Sequence, residues 1–123
     1  MTTSGDKNDP RYQNRSIRIV AAANPSAPAP DLNLLDEYQI TALAQTCAFA
    51  APTNSLGIAD ARLWRIRIVD NGTARTLSWA SIYKSSTTNI LPTTTVTGKT
   101  MRMGFCYDSV EVKHVLIAGP TYD

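Results

Sequence analysis

Histidine, cysteine and glycine are scarce in this chain, and each shortage closes off a class of chemistry. One histidine, His114, and two cysteines, Cys47 and Cys106, are all that 123 residues supply. Two cysteines build neither a disulfide framework nor a four-ligand zinc site. Both sit in apolar, strand-like segments, where reduced buried thiols are expected and a single bridge is the alternative. No Gly-x-Ser-x-Gly elbow precedes a helical pattern, and neither cysteine has a catalytic flank. His114 lies in a Val-rich run, on the face that a two-residue period also gives to Val110, Val112 and Leu116. That is a structural position rather than a general base's. The six glycines are spread too widely for a phosphate loop. The carboxylates Asp36, Glu37, Asp60, Asp70, Asp108 and Glu111 are scattered, mostly at turns, where they serve the backbone. No catalytic residue, metal or cofactor is expected, and the chain reads as a non-enzyme.

Charge is sparse as well. Charged residues make up 18% and the net charge is +2, too mild to imply a nucleic-acid partner. No apolar run approaches the roughly 20 residues that cross a bilayer; Gln45 and Thr46 interrupt the greasiest stretch, 42–51. The N-terminus lacks the basic start and apolar centre of an export signal. Neither a nucleic acid nor a membrane is expected as a partner.

What is present is a polar arm, a proline-rich spacer and a run of strand patterns. Residues 1–14 are polar, carry Gly5 and Pro10, and show no apolar period, so alone they are expected to be disordered. A short β-like run, 16–20, follows, then Asn24-Pro25-Ser26-Ala27-Pro28-Ala29-Pro30, expected to be extended polyproline II. The division is therefore an extended arm and linker over 1–30 and one β domain over 31–123. Within the domain, segments 38–42, 45–49, 62–69, 100–107 and 110–117 alternate or are β-branched, with turn residues between them. The fold expected is all-β, a small antiparallel β-sandwich or barrel of jelly-roll-like type.

The most specific local signal is Asp70-Asn71-Gly72-Thr73 between two alternating runs. Asn-Gly favours a type I′ turn, and a two-residue hairpin would set Ile66 against Leu77 and Trp64 against Trp79. That register gathers Trp64, Ile66, Leu77 and Trp79 on one core face and Arg65, Arg67, Thr76 and Ser78 on the other. Alternation adds Phe105 to the core, with Met101, Met103 and Tyr107. Arg62, Arg65, Arg67, Arg75 and Arg102 form a candidate basic sheet face, solvated or in contact with another copy.

The segments Asp70-Asn71-Gly72-Thr73-Ala74-Arg75-Thr76-Leu77-Ser78-Trp79 and Leu91-Pro92-Thr93-Thr94-Thr95-Val96-Thr97-Gly98-Lys99-Thr100 resemble a β domain that recurs in bacteriophage minor tail and fibre-like proteins. Ile40-Thr41-Ala42-Leu43 and Phe49-Ala50-Ala51-Pro52-Thr53 look similar too, so the likeness runs from about Tyr38 to Gly119. The family often places a Trp in its final strand, where this chain has Lys113-His114. The resemblance implies a virion structural protein, a minor tail, tail-fibre-like or head (capsid) decoration subunit, assembled in the host cytoplasm. The first 37 residues lie outside the likeness; there the arm and spacer ahead of the β domain read as an anchor. It is expected to dock on other capsid or tail proteins through Arg11, Tyr12, Arg15, Ile17 and Ile19. A homotrimer would supply the second surface that a flat, Thr-rich sheet needs. The rival is a receptor- or host-glycan-binding module, with Tyr83, Tyr107 and Tyr122 stacking on sugar rings.

Overall fold

The computed structural model describes residues 16–54 and 57–123. Among them the chain forms eight strands and no helix: β1 (Ile19–Ala22), β2 (Glu37–Leu43), β3 (Cys47–Phe49), β4 (Leu63–Asp70), β5 (Leu77–Trp79), β6 (Tyr83–Lys84), β7 (Thr100–Asp108) and β8 (Lys113–Tyr122). The all-β expectation therefore holds for the described residues. Six strands make one sheet in the order β1-β2-β4-β7-β8-β6, and β3 pairs with β5 in a second, two-stranded sheet.

The pairing is mixed, which corrects the antiparallel expectation. β1 with β2, β2 with β4, β3 with β5 and β6 with β8 run parallel; β4 with β7 and β7 with β8 run antiparallel. The large sheet is open, with β1 and β6 at its edges, so no barrel closes.

Apolar alternation sets the register at the sheet centre. Trp64, Ile66 and Ile68 of β4 stand opposite Phe105, Met103 and Met101 of β7, while Tyr38 and Ile40 of β2 stand opposite Ile66 and Ile68. All eight are buried on one face. A slip of one residue would turn every one of them to solvent, so burial fixes the register. Each buried side chain of this size contributes roughly 1.5–3 kcal/mol.

The two sheets meet through rings. Phe49 of β3 stacks on Trp79 of β5 at 4.4 Å, and Trp79 and Tyr83 lie 5.8 and 5.7 Å from Phe105. Polar tips find partners at the margins: the Trp79 indole donates to the Pro92 carbonyl and the Tyr83 hydroxyl to that of Ala50.

The Asn-Gly hairpin does not form. A strand has two hydrogen-bonding edges, and β4 gives one to β2 and the other to β7, leaving none for β5. Trp64 faces Phe105 instead of Trp79, and Ile66 faces Met103 instead of Leu77. The core assignment survives this change of partners: Trp64, Ile66, Leu77 and Phe105 are buried, and Trp79 is half-buried against the core cluster.

The proline spacer is part of the fold. Ala48, Ala50 and Thr53 donate their backbone N–H groups to the carbonyls of Ser26, Pro28 and Pro30, and Pro28 and Pro30 are buried. Proline accepts but has no N–H to donate, so this segment covers the outer edge of β3 without offering a further donor there. With β1 already paired to β2, residues 16–30 belong structurally to the domain rather than to a free arm.

The 110–117 run begins as a strand only at Lys113. Val110 is 91% exposed and Val112 takes a φ of 56° in the turn before β8. Two apolar residues there earned no burial, because Asp108 holds the turn: its Oδ1 accepts the N–H groups of Val110 and Glu111. A β-branched residue with positive φ is strained by roughly 1–3 kcal/mol. Val112→Asn, which tolerates that conformation, is expected to raise stability by about 1 kcal/mol in urea denaturation. An unchanged or lower midpoint would show that Val112 is not strained.

Candidate binding surface

The face of the large sheet opposite the core carries two rows of side chains. In the first, Glu37 of β2 stands beside Arg65 of β4, then Gly104 of β7 and Ala118 of β8. In the second, Gln39 stands beside Arg67, Arg102 and Thr121. Long side chains flank a strip of small ones: a Cβ placed on Gly104 would lie 3.3 Å from that of Ala118. The result is a trough of about 410 Å³, bounded by Glu37, Gln39, Arg65, Arg67, Arg102 and Thr121.

Its charges are unequally matched. Glu37, only 8% exposed, accepts from Arg65 Nε at 2.8 Å and from Gln39 Nε2 at 2.5 Å. Arg102 reaches Asp123 at 3.4 Å, with both side chains half exposed or more, a contact worth little. Arg67 pairs with no carboxylate among the described residues, and the register sets it directly opposite Arg102. Like charges opposed across two strands destabilise a sheet. Three guanidiniums thus line the trough against one carboxylate.

Of the five arginines expected on one basic face, Arg65, Arg67 and Arg102 share it. The other two do not. Arg62 is tied through its guanidinium to the carbonyls of Leu32, Leu35 and Leu63 and to Asp36. Arg75 lies beyond β4, where its backbone N–H donates to Thr95 Oγ1. Gln39, Glu37 and Thr121 were missed by sequence reasoning, since only the register brings β2 and β8 to the arginines.

The residues expected to stack on sugars go elsewhere. Tyr83 and Tyr107 are buried in the core and only Tyr122 is exposed, so the tyrosine platform is corrected. Burial pushes the Tyr83 hydroxyl above its usual titration range. His114 is fully buried among Trp64, Tyr83 and Tyr107, with ring centroids 5.5, 6.1 and 4.8 Å away. Its Nδ1 accepts from Trp64 Nε1 at 3.1 Å, and burial lowers its pKa to about 4. Cys47 and Cys106 are free; burial raises the Cys47 thiol to about 11, which leaves it protonated and unreactive at neutral pH. Among the described residues, no group of three or more His, Cys, Asp or Glu side chains is placed to hold a metal ion.

Of the arm residues, Arg11, Tyr12 and Arg15 lie outside the described residues. Ile17 and Ile19 are about half exposed, and Ile17 lines a shallow apolar depression of about 180 Å³ with Leu63, Trp64 and Phe105. Next to it Arg18 pairs with Asp36 at 3.0 Å, and the Arg18 bonds hold the Asp36 carboxyl down at about 2. That bond anchors the chain where it enters the domain.

A second polar cluster joins the segments 70–79 and 91–100. Asp70 Oδ2 accepts from Gly72 N at 2.9 Å and Gly98 N at 3.0 Å, while Oδ1 accepts from Thr95 Oγ1 at 2.8 Å. The Leu77 N–H donates to Thr93, extending the link along β5.

Comparison with protein-family models, with curated proteins and with solved structures returns no match for the chain in any of the three.

Proposed function

We propose that this chain is a bacteriophage virion structural protein, a minor tail, fibre-like or head decoration subunit. It attaches to the particle through its N-terminal segment and displays a two-layered, sandwich-like β domain as a homotrimer. The observation that carries this is the joint behaviour of the segments 70–79 and 91–100, on which the likeness to phage tail domains rests. They form a single hydrogen-bonded framework around Asp70, and their apolar members Leu77, Trp79 and Leu91 belong to or pack on the core. The resemblance therefore lies in scaffold, which fits a protein that works by assembling.

The attachment point follows from the topology. β1 is an edge strand with no partner on its outer side among the described residues, and it comes directly after the N-terminal segment. An unpaired, Ala-rich edge without proline or lysine is a ready template for a strand from another chain.

The test compares the full chain with residues 16–123, each tagged and expressed during particle production by the phage that encodes it. The cut falls before Ser16 because residues 16–30 are built into the domain, so a deletion of 1–30 would remove β1. The full chain is expected to band with particles in a density gradient, and the shortened chain to stay folded, trimeric by light scattering, and absent from that band. A full chain missing from purified particles would overturn the proposal, and a shortened chain that bands equally well would overturn the role of the N-terminal segment.

A further inference from the structure

We propose that the trough on the outer face of the large sheet is a binding site for an acidic sugar, a hexuronate unit of a surface polysaccharide. This goes beyond the assembly role and does not depend on it. Arg67 and Arg102 are poorly matched in charge. The register sets the two arginines opposite each other across β4 and β7; Arg67 has no carboxylate partner among the described residues, and Arg102 has only the exposed contact to Asp123 at 3.4 Å. A ligand carboxylate placed between them would offset the repulsion, since guanidinium forks bind carboxylates in bidentate fashion. The volume, about 410 Å³, lies in the range of small-molecule sites, ~300–1,000 Å³.

The rest of the lining decides among anions. Glu37 has two of its roughly four acceptor positions occupied, by Arg65 and Gln39. A carboxylate with free lone pairs opposes a phosphate chain but accepts hydroxyl donors. Gln39 and Thr121 add further groups able to meet hydroxyls. Donors for one acid group and acceptors for several hydroxyls describe a polyhydroxylated acid. An acidic peptide fits less well, because β2, β4 and β7 beneath the trough are paired on both sides, and the β8 edge, which β6 pairs only at His114 and Val115, runs along the trough's margin rather than its floor. Single-stranded nucleic acid would want an aromatic platform, and no aromatic side chain lines the trough.

The experiment titrates the full chain with a galacturonate trimer, with the matching neutral galactose trimer, with a tri-glutamate peptide and with inorganic phosphate, following backbone amide shifts by NMR. The uronate trimer is expected to shift amides of β4, β7 and β8 around the trough, and the neutral trimer to bind at least ten-fold more weakly. Arg67→Gln and Arg102→Gln should each weaken uronate binding ten-fold or more. Each should also leave the melting temperature unchanged or higher, because each removes a repulsion. Thr121→Val should weaken uronate binding while leaving any phosphate response untouched, a readout that a nonspecific basic patch would not give. Equal binding of the peptide or phosphate would reduce the site to a general anion patch and overturn the proposal. So would no shift with the uronate, or shifts that survive both arginine substitutions.

Discussion

Lowering the pH from 7 to about 4 is expected to cost the folded domain roughly 3 kcal/mol through His114 alone, with about 2 kcal/mol already lost by pH 5. The cause lies in one hydrogen bond and one cage. The Trp64 indole has only a donor, so His114 Nδ1 must present its lone pair to it, and the neutral ring carries its proton on Nε2. A second proton has only Nδ1 to occupy, which would set donor against donor in a site closed by Trp64, Tyr83 and Tyr107. Burial therefore holds the folded pKa at about 4, below an unfolded value near 6.5. Because the unfolded chain binds the proton more readily, stability is complete above about pH 6.5 and drains away as pH falls toward about 4. Urea midpoints at several pH values check this, with His114→Gln as the control. Gln keeps an acceptor for Trp64 and does not titrate, so the loss between pH 6.5 and 4 should vanish in it. A wild-type midpoint that stays flat across that window, or a slope that persists in His114→Gln, would contradict the account. A loss of 3 kcal/mol is a large share of the ~5–15 kcal/mol that holds a domain together.

How far the sequence could be read depends on how local each feature is. Alternation along 62–69 and 100–107 needs only neighbouring residues, and it placed Trp64, Ile66, Phe105, Met101 and Met103 inside correctly. The same alternation put Arg65 and Arg67 together on the outer face. Pairing is a different matter. The Asn-Gly pair at 71–72 favours a hairpin locally, yet β4 gains more from lying between β2 and β7, where its apolar face meets theirs on both sides. No window of a few residues contains that competition. Nor does it contain the proline segment's role, which depends on the β3 edge finding carbonyls at Ser26, Pro28 and Pro30. Val110 and Val112 show the opposite failure: apolar residues that the turn held by Asp108 keeps in solvent. The trough was half legible for the same reason, since its arginines come from strand alternation and its floor from a register between distant strands.

Replacing Asp70, the last residue of β4, by Ala is expected to remove about 3 kcal/mol. Its carboxylate, only 7% exposed, accepts from Gly72, Gly98 and Thr95, and Thr95 Oγ1 in turn accepts from Arg75 N. A charged acceptor in such a bond contributes ~1.5–3 kcal/mol, and losing it strands donors that were built around it; water at the loop surface recovers part of the loss. Asp70→Asn should cost only about 1 kcal/mol. Its Oδ1 can keep both glycine N–H groups, and its amide can donate to the Thr95 hydroxyl, which has a second lone pair. The gap between the two variants is the signature of a bonding hub, and equal losses would mean that shape alone matters at this position. The pH dependence separates Asp70 from His114. Burial pushes the Asp70 carboxyl up, but the bonds from Gly98, Thr95 and Gly72 and the charge of Arg75 together hold it below its usual range. A depressed carboxyl contributes stability that is complete above the unfolded value, about 3.8, and lost as pH falls through the folded one. Acid unfolding of the wild type should then proceed in two stages, one in the His114 window and one below about pH 4. His114→Gln should delete the first stage alone, and Asp70→Ala should weaken the second, where the Arg18-paired Asp36 carboxyl, held at about 2, also titrates.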